Sequence, residues 1–431
     1  MLKVAAIKEA LQTLVYQHGE RDDPLVFVGR TSVLGKLRIE FAGLKQHALS
    51  ATNRECQYPK GHTFIIQGSP GAGKTSIANK VANDLAADDK IKVLVCKSVP
   101  EDGEIDNLRL KIASHITGFS LDTLRRTTAV EGTVEAEVHI PLVKAGGGVS
   151  RSGTLAPMTI SSMRDVRTLA EDRDMTPVVV VIDEVQNIVK DSRVASFVMD
   201  LHTQDEVPVL LVCCGLSNSR KRLEDIGLTR PMDDHCLDIG TLSADETFEA
   251  ARKSLAIIRD AGARGSDEVL DVLSKKIAES SDHWPRHLTC YLQGILQTLL
   301  EQDTPSFDAL DQSAALEKGH ELRQSYYENR LERSELPAPI IQQIYERIES
   351  GLSEKQCGGA LMNMIRAFEG DEKEEMETTF TSTSIALDKL VGSGLVSIGK
   401  NRACVIPIPS MRAFIRDKAR EASDGLSYAG A

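Results

Sequence analysis

The chain has 431 residues, of which 41% are apolar and 26% charged, and a formal net charge of -12. A chain of this size builds its core without disulfides or metals, and at about 150 residues per domain it holds two or three domains. The acidic balance excludes a uniformly basic nucleic-acid coat, though not a local basic site, and 4% aromatics argue against a base-stacking platform.

No run approaches about 18 consecutive apolar residues, so no membrane span is expected. Met1–Tyr16 interrupts its apolar residues with Lys3, Lys8 and Glu9, unlike a signal peptide. The eight cysteines form no C-x-x-C pair, which fits reduced thiols in a cytoplasmic protein.

Residues 1–60 predict a helical lead-in ending near Asp22-Asp23-Pro24, then Val26-Phe27-Val28-Gly29-Arg30 and a second helix. Residues 61–240 alternate short β-rich runs with helical stretches, the pattern of an α/β fold with a parallel sheet. Four runs predict strands: Thr63–Gln67, Lys92–Cys96, Val178–Ile182 and Val209–Cys214. Each is short, apolar and β-branched, as strands covered on both faces should be. An insert over about 118–160 interrupts the pattern. Val134, Ala136, Val138 and Ile140 alternate there with polar residues ahead of a glycine-rich tip at 144–150. This predicts a ribbon or flexible loop.

Between the first strand and a helix over Ser76–Leu85 lies Gly68-Ser69-Pro70-Gly71-Ala72-Gly73-Lys74-Thr75, a full phosphate-loop pattern in its required context. The glycines let backbone N–H groups point inward around phosphates, and the helix N-terminus adds a positive dipole end, with Ser76 in the first turn also placed on the nucleotide. Lys74 supplies a point charge and Thr75 a hydroxyl for Mg²⁺. The third strand ends in Asp183-Glu184. Asp183 is suited to the magnesium shell and Glu184 to polarising the attacking water, so ATP hydrolysis is expected rather than binding alone.

From here the ordered motifs over about 25–300 resemble the AAA+ ATPases. Gly215-Leu216-Ser217-Asn218 looks like the corresponding run of the origin-recognition initiators of archaea and eukaryotes. The resemblance implies that Asn218 is sensor 1, contacting the γ-phosphate or the lytic water. It implies that Arg230, closing Leu223–Arg230, is an arginine finger reaching a neighbour's site in a homo-oligomer. Trp284-Pro285-Arg286 resembles the sensor 2 motif, with Arg286 reaching the phosphates, although a small residue is usual where Trp284 stands. Val28-Gly29-Arg30 resembles the box whose backbone lines the adenine pocket, with Val28 and Gly29 on the nucleotide.

Residues 241–330 read as helices only and correspond to the all-α lid. Ser243-Ala244-Asp245-Glu246 predicts a capped start, and Pro285 suits a first helical turn. Residues 335–420 predict helices over 337–350, 353–368 and 382–393, strands over Leu395–Ile398 and Ala403–Ile406, and a last helix over Ser410–Arg420. This looks like the winged helix that initiator ATPases carry. Residues 386–420 hold seven bases (Lys389, Lys400, Arg402, Arg412, Arg416, Lys418, Arg420) against Asp388 and Asp417, and Lys400 and Arg402 at the wing tip suit DNA phosphates. The acidic run from Glu369 to Glu377 reads as a linker that opposes DNA. Two functions follow. One is an initiator-type ATPase that assembles on DNA or loads a partner protein. The other is a STAND-type signalling switch acting through a separate effector.

Overall fold

The computed structural model describes residues 2–20, 26–50, 63–87, 91–128, 160–170, 175–204, 207–228, 235–368, 373–399 and 401–428. The expected ribbon at 134–140, its glycine-rich tip, Arg230 and Lys400 lie outside the described residues.

The first elements are α1 (Leu2–Glu20), α2 (Thr31–Ser50), β1 (Thr63–Gly68), α3 (Lys74–Ala86) and β2 (Lys92–Cys96). They are followed by α4 (Ile105–Thr117), α5 (Leu121–Thr128), α6 (Met163–Leu169), β3 (Val178–Ile182), α7 (Arg193–Thr203), β4 (Val209–Gly215), α8 (Ser219–Asp225) and β5 (Cys236–Ile239). The five strands form one parallel sheet in the order β2-β3-β4-β1-β5, the α/β class expected. Every residue of β1, β3 and β4 is buried, because helices cover both faces. Side chains alternate between two cores, as the strand period of two requires. Phe64, Ile66, Val179, Val181, Leu210 and Val212 meet α2 and α3. Ile65, Val178, Val180, Ile182 and Leu211 meet α4, α6 and α7.

The four predicted strands are present, and β5 is an addition. Its short run carries the polar Asp238, which breaks the apolar signal but accepts a hydrogen bond from Gln67 Nε2 at 2.8 Å. Gly68 makes that edge possible: a Cβ there would lie 2.3 Å from the Ile239 carbonyl oxygen.

A helical layer follows, with α9 (Ala244–Asp260), α10 (Asp267–Ser280), α11 (Pro285–Glu301) and α12 (Gln312–Ser334). The capping box at its start forms as read, with Ser243 Oγ accepting from Glu246 N and Glu246 Oε2 accepting from Ser243 N. Leu11 and Leu14 of α1 join the core of Leu255, Ile258, Leu273, Leu292 and Ile295, so the lead-in packs on this layer. The expected boundary at 330 falls inside α12, which runs unbroken to Ser334.

The last unit holds α13 (Ala338–Glu349), α14 (Glu354–Ala367), α15 (Lys373–Thr379), α16 (Thr383–Ser393), β6 (Ser397–Ile398), β7 (Cys404–Val405) and α17 (Pro409–Tyr428). β6 and β7 pair antiparallel over two residues each, shorter than the runs read from sequence. The acidic stretch is not a plain linker: Lys373–Thr379 is helical because Met376 buries itself among neighbours. The core of this unit is continuous with the α2/α3 side of the sheet through Trp284, Tyr326 and Tyr327.

Helices α11 and α12 cross at two glycines. A Cβ on Gly294 would sit 2.6 Å from Ala315 O and Gly319 N. Gly294→Val therefore destabilises the chain by about 1–3 kcal/mol through overpacking, read as a lower urea midpoint. An unchanged midpoint would contradict this account of the crossing.

Candidate active site

The turn between β1 and α3 carries two left-handed residues, Gly71 (φ 83°) and Gly73 (φ 91°). A side chain is strained there, which is why the motif demands glycine. No side chain caps α3, so its first N–H groups face the cavity in front of the turn. Lys74 is buried, and its ammonium donates to Ser69 O at 3.1 Å. Burial pushes its pKa below the ordinary lysine value, and the attraction of Asp183 and Glu184 works against that.

β3 delivers the acid pair from the neighbouring part of the sheet. Thr75 Oγ1 donates to Asp183 Oδ2 at 2.6 Å, so the two groups read as magnesium ligands are in direct contact. A hydroxyl and a carboxylate so placed are hard oxygen donors and fit Mg²⁺, which completes its shell with waters and phosphate oxygens. Asp183 Oδ1 accepts from Glu184 N at 2.8 Å. Glu184 is left-handed (φ 59°), which turns its exposed carboxylate to the cavity. Gln186, which sequence reasoning passed over, donates to Glu184 Oε2 and accepts from Leu216 N at 3.0 Å. It ties the acid pair to the end of β4.

The cavity encloses about 380 Å³. Pro70, Gly71, Ala72, Gly73, Lys74, Thr75, Ser76, Glu184 and Arg286 line one part of it. Phe27, Val28, Leu242, Leu288 and Leu292 make an apolar end. Arg286 arrives from the first turn of α11, as read. Gly29 stands just outside the lining, and a Cβ on it would meet Glu246 Oε1 at 2.3 Å. Glu246 thus serves twice, capping α9 and accepting from Arg30 N at 3.0 Å. The Arg30 guanidinium donates to the carbonyls of Ala72, Gly240 and Thr241, pinning this box to the loop.

Asn218 is not brought into this cavity. Its amide donates to Asp388 Oδ1 of α16 at 3.0 Å, because the C-terminal unit covers the turn after β4. Arg222 pairs with the same carboxylate, and Lys221 pairs with Glu354. Arg402 reaches Glu224 of α8 at 3.3 Å, so this wing-tip arginine turns toward the parallel-sheet layer.

Trp284 explains itself through packing. Asp282 and His283 are left-handed, and Trp284 N donates to Ser281 O, a tight turn that points the indole inward. The indole is 1% exposed and lies against Gly71 together with Arg286 and Tyr326. Tyr326 Oη donates to Pro70 O at 3.0 Å. A second layer thus holds the outside of the phosphate loop.

A parallel sheet that presents a glycine turn, a helix N-terminus and an acid pair to one cavity defines a P-loop nucleotide-binding fold. Residues 64–225 match the family model for the ATPase family associated with various cellular activities (AAA). This bears out, over that stretch, the AAA+ resemblance read from the sequence. No curated protein matches the chain. Among solved structures, the Walker-type ATPase PABY2304 of Pyrococcus abyssi is 14% identical, with a TM-score of 0.44 over 86% of this chain and 94% of that one. The ORC2 protein of Aeropyrum pernix is 12% identical, with a TM-score of 0.43 over 94% and 98%. Drosophila ORC bound to DNA is 12% identical, with a TM-score of 0.41 over 94% and 91%. Among the described residues no helix is long and apolar enough to cross a membrane.

His287 sits beneath this layer, with its ring edges on Tyr326 and Tyr327 and Nδ1–H donating to Ser281 O. Burial, then the charge of Arg323, pushes it down to about 3. The unfolded chain binds this proton near 6.5 and the folded chain does not, so the stability from neutral His287 is whole above about 6.5 and is lost as pH falls toward 3. His287→Asn should flatten the pH dependence of the unfolding free energy, measured by urea titration, by up to about 1.4 kcal/mol per pH unit below 6.5. Parallel curves for variant and wild type would refute this.

Proposed function

We propose that the protein is an initiator-type AAA+ ATPase that hydrolyses ATP and uses nucleotide state to assemble on DNA or load a partner protein. One observation carries this reading: Lys74, Thr75, Glu184 and Arg286 converge on one cavity from two layers, with Asp183 hydrogen-bonded to Thr75. Lys74 and the N–H groups of α3 bind and orient the phosphates, and Arg286 adds charge from the helical layer. Thr75 and Asp183 would hold Mg²⁺, which neutralises charge on the phosphate oxygens when bound. Glu184 accepts a proton from the attacking water while Gln186 fixes its carboxylate. The apolar end, with Phe27 and Val28, takes the adenine.

In this reading the chain works as a homo-oligomer, and Arg230 enters a neighbour's site, where an arginine finger contributes 10³–10⁵ in rate. Asn218 reaches its sensor role only after leaving Asp388. The last unit acts as a winged helix, and Lys400 and Arg402 are its DNA contacts.

The contact between α8 and the C-terminal unit favours the second reading, a STAND-type switch with a separate effector. Asn218, Lys221, Arg222 and Glu224 all bind residues of the last unit, as a latch would.

Glu184→Gln should keep ATP binding and lose about 10²–10⁴-fold in turnover. Arg230→Ala should be inactive alone and regain turnover when mixed with Glu184→Gln subunits. A mixture that stays inactive, beside fully active Arg230→Ala, would remove the finger. Charge reversal at Lys400 and Arg402 should lower duplex retention in a salt-sensitive way. Unchanged retention would remove the wing contact and favour the switch.

A further inference from the structure

The cavity receives a cation that none of its motifs accounts for. Arg330 projects from α12 into the same lining as Lys74, Thr75, Glu184 and Arg286. It is half-buried, and its guanidinium lies 4.9 Å from the centre of the Tyr326 ring. Tyr326 is itself fixed by its hydrogen bond to Pro70 O. The position of Arg330 is thus set from the phosphate loop, across a sequence separation of 256 residues between Tyr326 and Pro70.

Of the other cations of α12, Lys318 pairs with Glu301 and Arg323 with Asp282, while Arg333 is exposed to solvent. Among the described residues Arg330 has no such ion pair, and neither does Arg286. Two arginines and Lys74 therefore turn toward one space with their charge uncompensated there, apart from Asp183 and Glu184 on the sheet side. The charge of Arg330 works in the same sense as burial in lowering the pKa of Lys74. A half-buried cation repelled by its neighbours is stabilised by a multiply charged anion, and the planar guanidinium fork matches phosphate oxygens.

We propose that Arg330 is a phosphate-binding residue, a second cationic arm from the helical layer beside Arg286, and that it grips the polyphosphate end of a nucleoside triphosphate. This rests on reading the cavity as a nucleotide site. It also gives α12 a part in sensing nucleotide. Tyr327, next to Tyr326 in sequence, bonds Ser410 Oγ of α17 at 2.8 Å, and α12 packs on α16. A triphosphate held by Arg330 braces the helix that seats the C-terminal unit.

The test is equilibrium binding of ATP and ADP, each with Mg²⁺, to the full chain by titration calorimetry. Arg330→Gln keeps a side chain over Tyr326 and removes the charge. It should weaken ATP binding about tenfold or more and ADP binding less, as expected for a lost charged hydrogen bond. Arg330→Lys keeps the charge but loses the planar fork, so its affinity should lie between those of Arg330→Gln and the wild type, and the melting temperature of both variants without nucleotide should match that of the wild type. The proposal is overturned if Arg330→Gln binds ATP as the wild type does, or if Arg330→Lys loses as much as Arg330→Gln. A lower nucleotide-free melting temperature with unchanged affinity also overturns it, since that marks a packing role. A wild-type chain that binds neither nucleotide fails at the earlier reading of the cavity, before Arg330 enters.

Discussion

The architecture depends on how closely the helical layer approaches the phosphate loop at Gly71. A Cβ on that residue would lie 2.9 Å from Arg286 Cβ and 3.1 Å from both Trp284 Nε1 and Tyr326 Oη. Glycine is therefore required twice at one position, for its positive φ toward the cavity and for the absence of a side chain on the outside. The buried sheet gives the loop a rigid base, and the indole and phenol give it a roof. Because Tyr326 and Trp284 belong to the core that continues into the C-terminal unit, the loop is linked through the helical layer to that unit.

The parts that sequence made legible are those whose chemistry demands fixed local spacing. The phosphate loop must bring glycines, lysine and threonine together within eight residues, and Asp183-Glu184 must end a buried strand. Strands β3 and β4 were legible because full burial leaves them without polar residues, and β1 because Phe64, Ile65 and Ile66 form its apolar centre. β5 was not, since Asp238 finds its partner in Gln67 on another strand. Gln186 and Arg330 were equally hidden, since neither sits in a motif with a spacing of its own. Glu246 was legible as the acid of a capping box, but not as the acceptor for Arg30 N. Trp284 read as a departure from the family pattern. Its burial against Gly71 shows a packing solution that only the tertiary structure makes visible.

Charge shows the same division between local sequence and tertiary partner. The C-terminal bases read as a positive patch, yet in the fold Lys389 meets Glu335, Arg412 meets Glu349, Lys418 meets Glu421 and Arg402 meets Glu224. These pairs are largely exposed and each contributes about 0–1 kcal/mol, so phosphates can compete for the same cations. The net charge of -12 therefore describes neither an absence of basic groups nor a free basic surface. It describes bases that already have acidic neighbours.

Helix α12 is one continuous rod of 23 residues, crossing α11 where Gly319 meets Gly294 and Tyr291. At the crossing the two backbones are close enough to exclude a Cβ, so it would serve as a fulcrum. From Gly319 to Ser334 the rod extends about 22 Å at the α-helical rise, with Tyr326 and Arg330 along that arm. A tilt of about 5° at the crossing displaces the far end by about 2 Å over such an arm. The lever ratio favours the end that holds the C-terminal unit. A displacement of the phosphate loop passed to Tyr326 would therefore be magnified where α12 meets α13.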